Sequence, residues 1–283
     1  MKKTLRLNFN AKDNAVLVDF LAEKSGISKA KLKDAMVKGA VWIRGKTRKG
    51  TNRVRRATTE LRAGDAIDLY YDDSILSLPE IKPIELRRGR GWVAYYKPKN
   101  MLSQGTKFGD HLSLLRFVEK TENEAYLIHR LDREASGVMV VATNKKMATE
   151  LSKQFAENKV QKIYRAIIEG QIENLTNQGV IEIPLEGKEA RTEYKILTRE
   201  GPKALVEINL HTGRTHQIRK HFALKKCPLF GDVEYGDYTG QDYDLPLVSH
   251  SLEFFDPGTQ KNVLIELPHD LALSKITDIN GPE

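Results

Sequence analysis

Residues 129–143 read HRLDREASGVMVVAT, a charged turn that passes through Ser136-Gly137 directly into an apolar strand. An apolar run entered through small turn residues marks a strand rather than a helix. Working outward, similar runs recur as WVAYY (92–96), AYLIHRL (125–131), KIYRAIIEG (162–170), GVIEIPL (179–185), ARTEYKIL (190–197), KALVEINL (203–210), LVSHSLEF (247–254) and VLIELP (263–268). Two helices fit between them. NKKMATELSKQFAEN has Asn144 as cap with Met147, Leu151 and Phe155 stacked at i, i+4, and THQIRKHFALKK has Thr215 as cap with Ile218 and Phe222 on its buried side. Strands outnumber helices and often follow one another directly, which predicts a largely antiparallel sheet and an α+β fold.

The 283 residues, 40% hydrophobic and 30% charged, suit one or two soluble globular domains and exclude collagen-like, low-complexity and wholly disordered chains. A lone cysteine, Cys227, forms no intramolecular disulfide and excludes a multi-cysteine zinc motif, so a reducing, cytoplasmic location is expected. MKKTLRLNFNAKDN has no apolar core of the kind a secretory signal needs, and no 18-residue apolar run exists, so no membrane partner is expected.

The net charge of +8 is unevenly placed. Residues 1–75 hold 17 Lys and Arg against 9 acids, whereas residues 76–283 hold 29 of each. Within 31–56, Lys31, Lys33, Lys38, Arg44, Lys46, Arg48, Lys49, Arg53, Arg55 and Arg56 face only Asp34. A solvated surface usually mixes signs, so this run points to a polyanion. Phosphate backbones reward such residues through counterion release, and the run crosses a helix, a strand and a turn, unlike a membrane-surface helix. The local pattern supports that reading. Leu17, Phe20 and Leu21 share a helical face, Ser28 caps a second helix that stops at Gly39, and the strands AVWIRG and AIDLYY follow. This segment, with LKDAMVKGAVWIRGK and LRAGDAIDL, resembles the alpha-L RNA-binding fold. The expected organisation is an RNA-binding domain over 1–75, a proline-bearing linker over 76–90 and a second domain over 91–283. GAVWIRGKT is not a phosphate-binding loop, because Gly39 and Gly45 stand one residue too far apart.

Three polar clusters in the second domain merit reading as one site: HRLDREASG (129–137), KIYRA (162–166) and HTGRTHQIRKH (211–221). Asp132 stands between Arg130 and Arg133, which favour its charged form and suit it to act as nucleophile or base; an exposed turn with local ion pairs explains the same residues. His211, His216 and His221 recur every five residues, a step that rotates them off a common helical face, so no metal site is expected. Thr215 as cap would put Gln217 and Arg219 in the anion-friendly first turn of its helix.

HRLDREASGVMVVAT, KIYRAIIEG, TEYKIL and LHTGRTHQIRKHFALKKCPLFGDVEYG, in that order, resemble the motifs of the RluA-type pseudouridine synthases over about residues 92–268. The resemblance implies that Asp132 is the catalytic aspartate and that Arg130 enters the RNA as the target base leaves. It also implies that Tyr164 stacks on uracil, that Arg219 ion-pairs with the aspartate and that Ile218 is its apolar neighbour. Ala135 stands where a threonine is common, and Asn100 in KPKNMLSQG stands where the family usually has glycine, which leaves the shape of that loop open.

Uridine to pseudouridine is an isomerisation, so no cofactor is expected. The base must leave its stack, at a cost of a few kcal/mol that aromatic stacking offsets. Asp132 would then attack the anomeric carbon or uracil C6, or aid elimination, with Tyr164 as a further candidate base. A glycoside hydrolase would need a second carboxylate at a set distance, and Glu134 is the nearest. An RNA-binding assembly protein with a vestigial catalytic domain is the non-enzymatic alternative, against which the joint presence of Asp132, Tyr164 and Arg219 argues. The expected partner is structured RNA, ribosomal first and transfer RNA second, bound by a monomer.

Overall fold

The computed structural model describes residues 4–10, 12, 14–45, 50–237 and 244–277. The chain divides into two compact units, Met1–Ile81 with Gln104–Phe117, and Lys82–Ser103 with Val118–Glu283.

In the first unit, β1 (Thr4–Asn10), β2 (Ala15–Val16), α1 (Leu17–Ser25) and α2 (Lys29–Val37) precede β3 (Val41–Arg44), β4 (Asn52–Arg53), β5 (Glu60–Leu61), β6 (Ala66–Asp72) and α3 (Asp73–Leu76). The main sheet runs β1-β6-β3-β4. The expected caps form: Gly26 ends α1 at φ 67°, and the Ser28 side chain accepts the Lys31 N–H at the start of α2. Leu17, Leu21, Leu32, Ala35 and Met36 meet Val41, Ile67 and Leu69 in one core, all fully buried.

Residues 104–117, expected with the second domain, cluster with this unit instead. The cause is local. Asp110 donates its backbone N–H to Lys38 O, and its carboxylate lies 2.5 Å from both Arg53 and Arg55. Residues 76–90, expected as a linker, include a strand, β7 (Ile84–Gly89), paired antiparallel with β8 (Trp92–Lys97). β7 is a largely exposed edge strand whose apolar alternation is confined to Ile84 and Leu86, too short to stand out beside Arg87 and Arg88.

The second unit holds a ten-stranded sheet with β9 (Tyr126–Leu127), β10 (Ser136–Ala142), β11 (Gln161–Glu169), β12 (Gln178–Ile181), β13 (Thr192–Glu200), β14 (Lys203–Leu210), β15 (Leu247–Asp256) and β16 (Lys261–Glu266). Its main order is β12-β13-β14-β11-β15-β10-β8-β7. The remaining helices are α4 (Leu114–Glu122), whose residues divide between the two units at Phe117, and α5 (Lys145–Ala156) and α6 (Gln217–Leu224) of the second unit. Asn144 caps α5 as its position predicts, accepting the Met147 N–H at 2.9 Å. Trp92, Ala94, Val138, Val140, Leu151, Ile167, Leu252 and Phe254 form the core of this unit, with the edge-to-face pair Trp92–Phe254 inside it. Among the described residues no helix is long and apolar enough to cross a membrane.

The sheet is antiparallel except where β10 meets β15, at Ser136 opposite Val248 and Gly137 opposite Ser249. Gly137 has φ 116°, and a Cβ there would lie 2.3 Å from Ser249 O. Only glycine tolerates both that conformation and that approach. Gly137→Ala is therefore expected to destabilise the second unit by about 3 kcal/mol or more, read as a lowered melting temperature, because backbone rather than a movable side chain blocks the new methyl.

Candidate active site

Asp132 lies on the irregular loop between β9 and β10, and that loop is fastened from several sides. Buried Ser103 accepts the Leu131 N–H at 2.9 Å and donates to Leu131 O at 2.6 Å. Asn100 donates its N–H to Arg133 O at 2.8 Å and adopts φ 65°, a left-handed conformation that asparagine tolerates best after glycine. Asparagine thus fills this position of the KPKN loop in a backbone conformation that glycine also adopts. Lys97, fully buried beneath this loop, donates to Met101 O and Pro98 O. Burial pulls its pKa down to about 7, against the opposing pull of Glu134 and Asp132. His129 accepts the Val140 N–H through Nε2 and stacks on Phe155 at 4.4 Å. Desolvation, helped by nearby Lys162, pulls its pKa to about 3, so His129 is a neutral strut of the loop.

Tyr164 is buried on β11 beside a register irregularity: Ile163 faces Ser251 of β15, whereas Tyr164 faces Ser249. Such bulges re-aim side chains next to sites. Burial raises the Tyr164 phenol pKa, with the Ser249 hydroxyl opposing and the charge of Asp132 reinforcing the rise. The phenol therefore stays protonated at neutral pH and suits stacking or donation better than the role of base. Asp132, Tyr164, Arg130 and Arg219 line one cleft of about 530 Å³ together with Lys162 and Arg214, a volume suited to a nucleotide-sized ligand. Arg130 is exposed and without a hydrogen bond or ion pair among the described residues. A larger depression of about 1060 Å³ beside residues 269–277 holds Lys99 already paired with Asp244 and includes none of these four residues.

Arg219 departs from expectation. It is 4% exposed in the first turn of α6, but its bidentate partner is Asp232, with Nε and one terminal nitrogen each 2.7 Å from the carboxylate, and Glu234 lies 3.1 Å away. Desolvation disfavours the guanidinium charge, yet Asp232, Glu234 and more distantly Asp132 outweigh it and raise the pKa. Asp132 instead has His216 Nε2 at 3.6 Å from Oδ1. His216 stands just before α6 at φ 53° and reaches Tyr235 Oη at 3.0 Å through Nδ1. Thr215 is not the cap. The turn is held by Gln217, whose Oε1 accepts from Thr212 Oγ1 and the Arg214 N–H, while Nε2 donates to Arg191 O and Thr192 Oγ1. Ile218 is buried next to Arg219. His221 bridges Thr192 Oγ1 and Ile183 O, and His211 meets Glu193, so the three histidines have three separate sets of partners. Asp232 escaped the residue-type reading, although it lies in a segment, 227–260, that has seven acids and no lysine or arginine.

The basic run of the first unit also divides. Lys33, Arg44 and Arg56 are exposed and meet no carboxylate among the described residues, and exposed Lys31 lies 3.3 Å from Asp73. Lys38 is tied to Asp34 and Leu76 O, while Arg53 and Arg55 clasp Asp110, with Arg53 also stacked over Trp42 at 4.4 Å. These three are engaged by partners within the unit. Lys46, Arg48 and Lys49 lie outside the described residues.

The sequence matches the family described as RNA pseudouridylate synthase over residues 91–224. It is 30% identical over 245 residues to an uncharacterized RNA pseudouridine synthase of Aquifex aeolicus, spanning 74% of this chain and 72% of that protein. Ribosomal large subunit pseudouridine synthase C of Escherichia coli is 30% identical over 233 residues, 73% of this chain and 67% of its own length. The human protein RNA Pseudouridylate Synthase Domain Containing 1 shares the fold, with a TM-score of 0.57 at 23% identity over 68% of this chain and 85% of that one. The family match and the relative from Aquifex aeolicus place this α+β chain among the RNA pseudouridylate synthases, which are isomerases. It belongs to the RNA pseudouridine synthase family, of the RluA type that its ordered motifs indicate. The glycosidase alternative falls with that membership, and Glu134 is exposed and no part of the cleft.

Asp232→Asn should leave Arg219 buried without its counter-charge and cost about 3–5 kcal/mol in chemical unfolding. Burial raises the Asp232 pKa, but Arg219 and the N–H groups of Tyr235 and Glu234 more than reverse this, so the folded value lies below the unfolded one. The carboxylate's stabilisation is thus fully present above the unfolded value near ~4 and is lost as pH falls through the lower folded value. The Asn variant should lack that segment of the acid-stability curve.

Proposed function

We propose that this synthase converts uridine to pseudouridine in structured RNA with Asp132 as the catalytic carboxylate, on large-subunit ribosomal RNA first and transfer RNA second. The observation that carries this reading is the meeting of Asp132, Tyr164 and exposed Arg130 in one cleft. The ribosomal preference rests on the names of relatives such as synthase C of Escherichia coli. In this mechanism the uridine leaves its stack, Arg130 occupies the gap and Tyr164 takes the base face on its ring. The bond from ribose C1′ to uracil N1 breaks, the base turns, and C1′ bonds to C5. C5 loses a proton and N1 gains one, so the atoms balance without a co-reactant. Asp132 assists at C1′ or C6, or through elimination. Arg219, saturated by Asp232 and Glu234, acts on Asp132 through space as a positioning residue, in place of the direct ion pair expected from the motif.

The first unit supplies sequence-independent affinity as an alpha-L module over residues 1–75, with Lys33, Arg44 and Arg56 among its exposed cations that meet no carboxylate among the described residues. All the chemistry lies in the one cleft, which accords with a monomer, and the lone buried Cys227 accords with a cytoplasmic location.

Asp132→Asn should reduce pseudouridine formation on cellular RNA by at least about a thousandfold while RNA retention on filters stays unchanged; an active variant would displace Asp132 from its role. Replacing Lys33, Arg44 and Arg56 together by alanine should weaken RNA binding and lower the slope of log affinity against log salt by about 2–3, without changing the rate at saturating RNA. An unchanged slope would remove these residues from the interface.

A further inference from the structure

Lys162 is the buried charge that the reading above leaves unused. It is 7% exposed, two residues before Tyr164 on the same face of β11, and it lines the same cleft. No described residue gives it a hydrogen bond or an ion pair, and desolvation alone acts on its pKa, downward. His129, the nearby titratable group, is held neutral by its own burial and by Lys162. The other buried cations of this unit are compensated, Arg219 by two carboxylates and Lys97 by backbone carbonyls. A cation largely withdrawn from water, without a partner and open only to the cleft, is costly, and it is most effective where negative charge develops during a reaction. Arg130 and Arg214, exposed along the cleft, suit the phosphates of a bound RNA, whereas Lys162 sits buried beside the tyrosine assigned to the base.

We propose that Lys162 donates a hydrogen bond to a carbonyl oxygen of the uracil and stabilises the negative charge that the base carries between cleavage and re-attachment. This rests on the assignment of the cleft to the flipped base. When the C1′–N1 bond breaks, its electron pair stays with uracil and spreads from N1 onto the carbonyl oxygens O2 and O4. After the base turns, C5 bonds to C1′, C5 loses its proton, N1 takes one up, and the charge is discharged. Lys162 gives up no proton over the cycle, so it is an electrostatic catalyst rather than an acid.

The test uses the full chain in excess over total RNA from cells lacking the gene, labelled with tritium at uridine C5, so that tritium release reports turnover. Lys162→Met should lower the single-turnover rate about a hundredfold or more, with filter retention and its salt slope unchanged, and Lys162→Arg should recover most of the rate. Retention that weakens with a salt slope lower by about one, at an unchanged saturated rate, would overturn the proposal in favour of a phosphate contact. A rate and an affinity both unchanged would overturn it outright. Removing an unpaired buried charge should leave the melting temperature equal or higher, and a fall would refute the premise that the charge is uncompensated. Asp132→Asn, run in parallel, separates the two assignments. If it is active, the cleft reading fails; if it is inert while Lys162→Met is fully active, only the role of Lys162 fails.

Discussion

The distance between the two walls of the cleft depends on one backbone contact, Gly137 of β10 against Ser249 of β15. β10 begins where the Asp132 loop ends, and β15 pairs with β11 at Tyr164 through that same Ser249. Any side chain at 137 would separate the strand that follows the carboxylate from the strand that frames the aromatic ring. The loop has no regular structure of its own, so Ser103, Asn100 and His129 supply the hydrogen bonds that a sheet neighbour would otherwise give. A loop held in this way can present a carboxylate rigidly, as a preorganised site requires.

Electrostatics then decides which charges are free. Arg219 looks from its sequence position like the natural clamp for Asp132, but two acids reach it first, and one of them, Asp232, is more deeply buried than Asp132. The pairing satisfies Arg219 and leaves Asp132, among the described residues, with the longer contact to His216. A carboxylate saturated by a bidentate arginine is a weaker nucleophile than one held at a distance, because its lone pairs are engaged. Asp232 and Glu234 therefore leave the Asp132 carboxylate without a bidentate arginine, the state that the role proposed for it requires.

Much of this was legible in the sequence, and the illegible part has a common cause. Alternation and apolar runs identified most strands of the second unit, because burial on a pleated sheet leaves a period in the residues themselves. Ser28 and Asn144 were readable as caps for the same reason, a local bond written in a local pattern. Edge strand β7 left too short a trace, and AYLIHRL pairs only at Tyr126 and Leu127 before the chain turns into the anchored loop. The alliances of Arg219 with Asp232, of Arg53 and Arg55 with Asp110, and the isolation of Lys162 are long-range facts. Motif spacing carries the identity of a residue, not the partner that tertiary structure brings to it. Asn100 is the converse case, where a departure from the motif is explained by one torsion angle.

The same distinction changes the meaning of the charge count. Residues 1–75 carry the whole excess of +8, yet Arg53 and Arg55 spend their charge on Asp110, a residue outside that range in sequence but inside the same compact unit. The second unit shows the complementary pattern, since the acids of 227–260 hold cations in place: Asp232 and Glu234 fix Arg219, and Asp244 fixes Lys99. Electroneutrality of the catalytic body is thus partly a sum of internal pairs, and a pair that is closed offers little to a phosphate backbone. What stays open among the described residues is the set of exposed cations that no carboxylate holds, such as Lys33, Arg44, Arg56 and Arg130, suited by charge to a polyanion, together with buried Lys162 in the cleft.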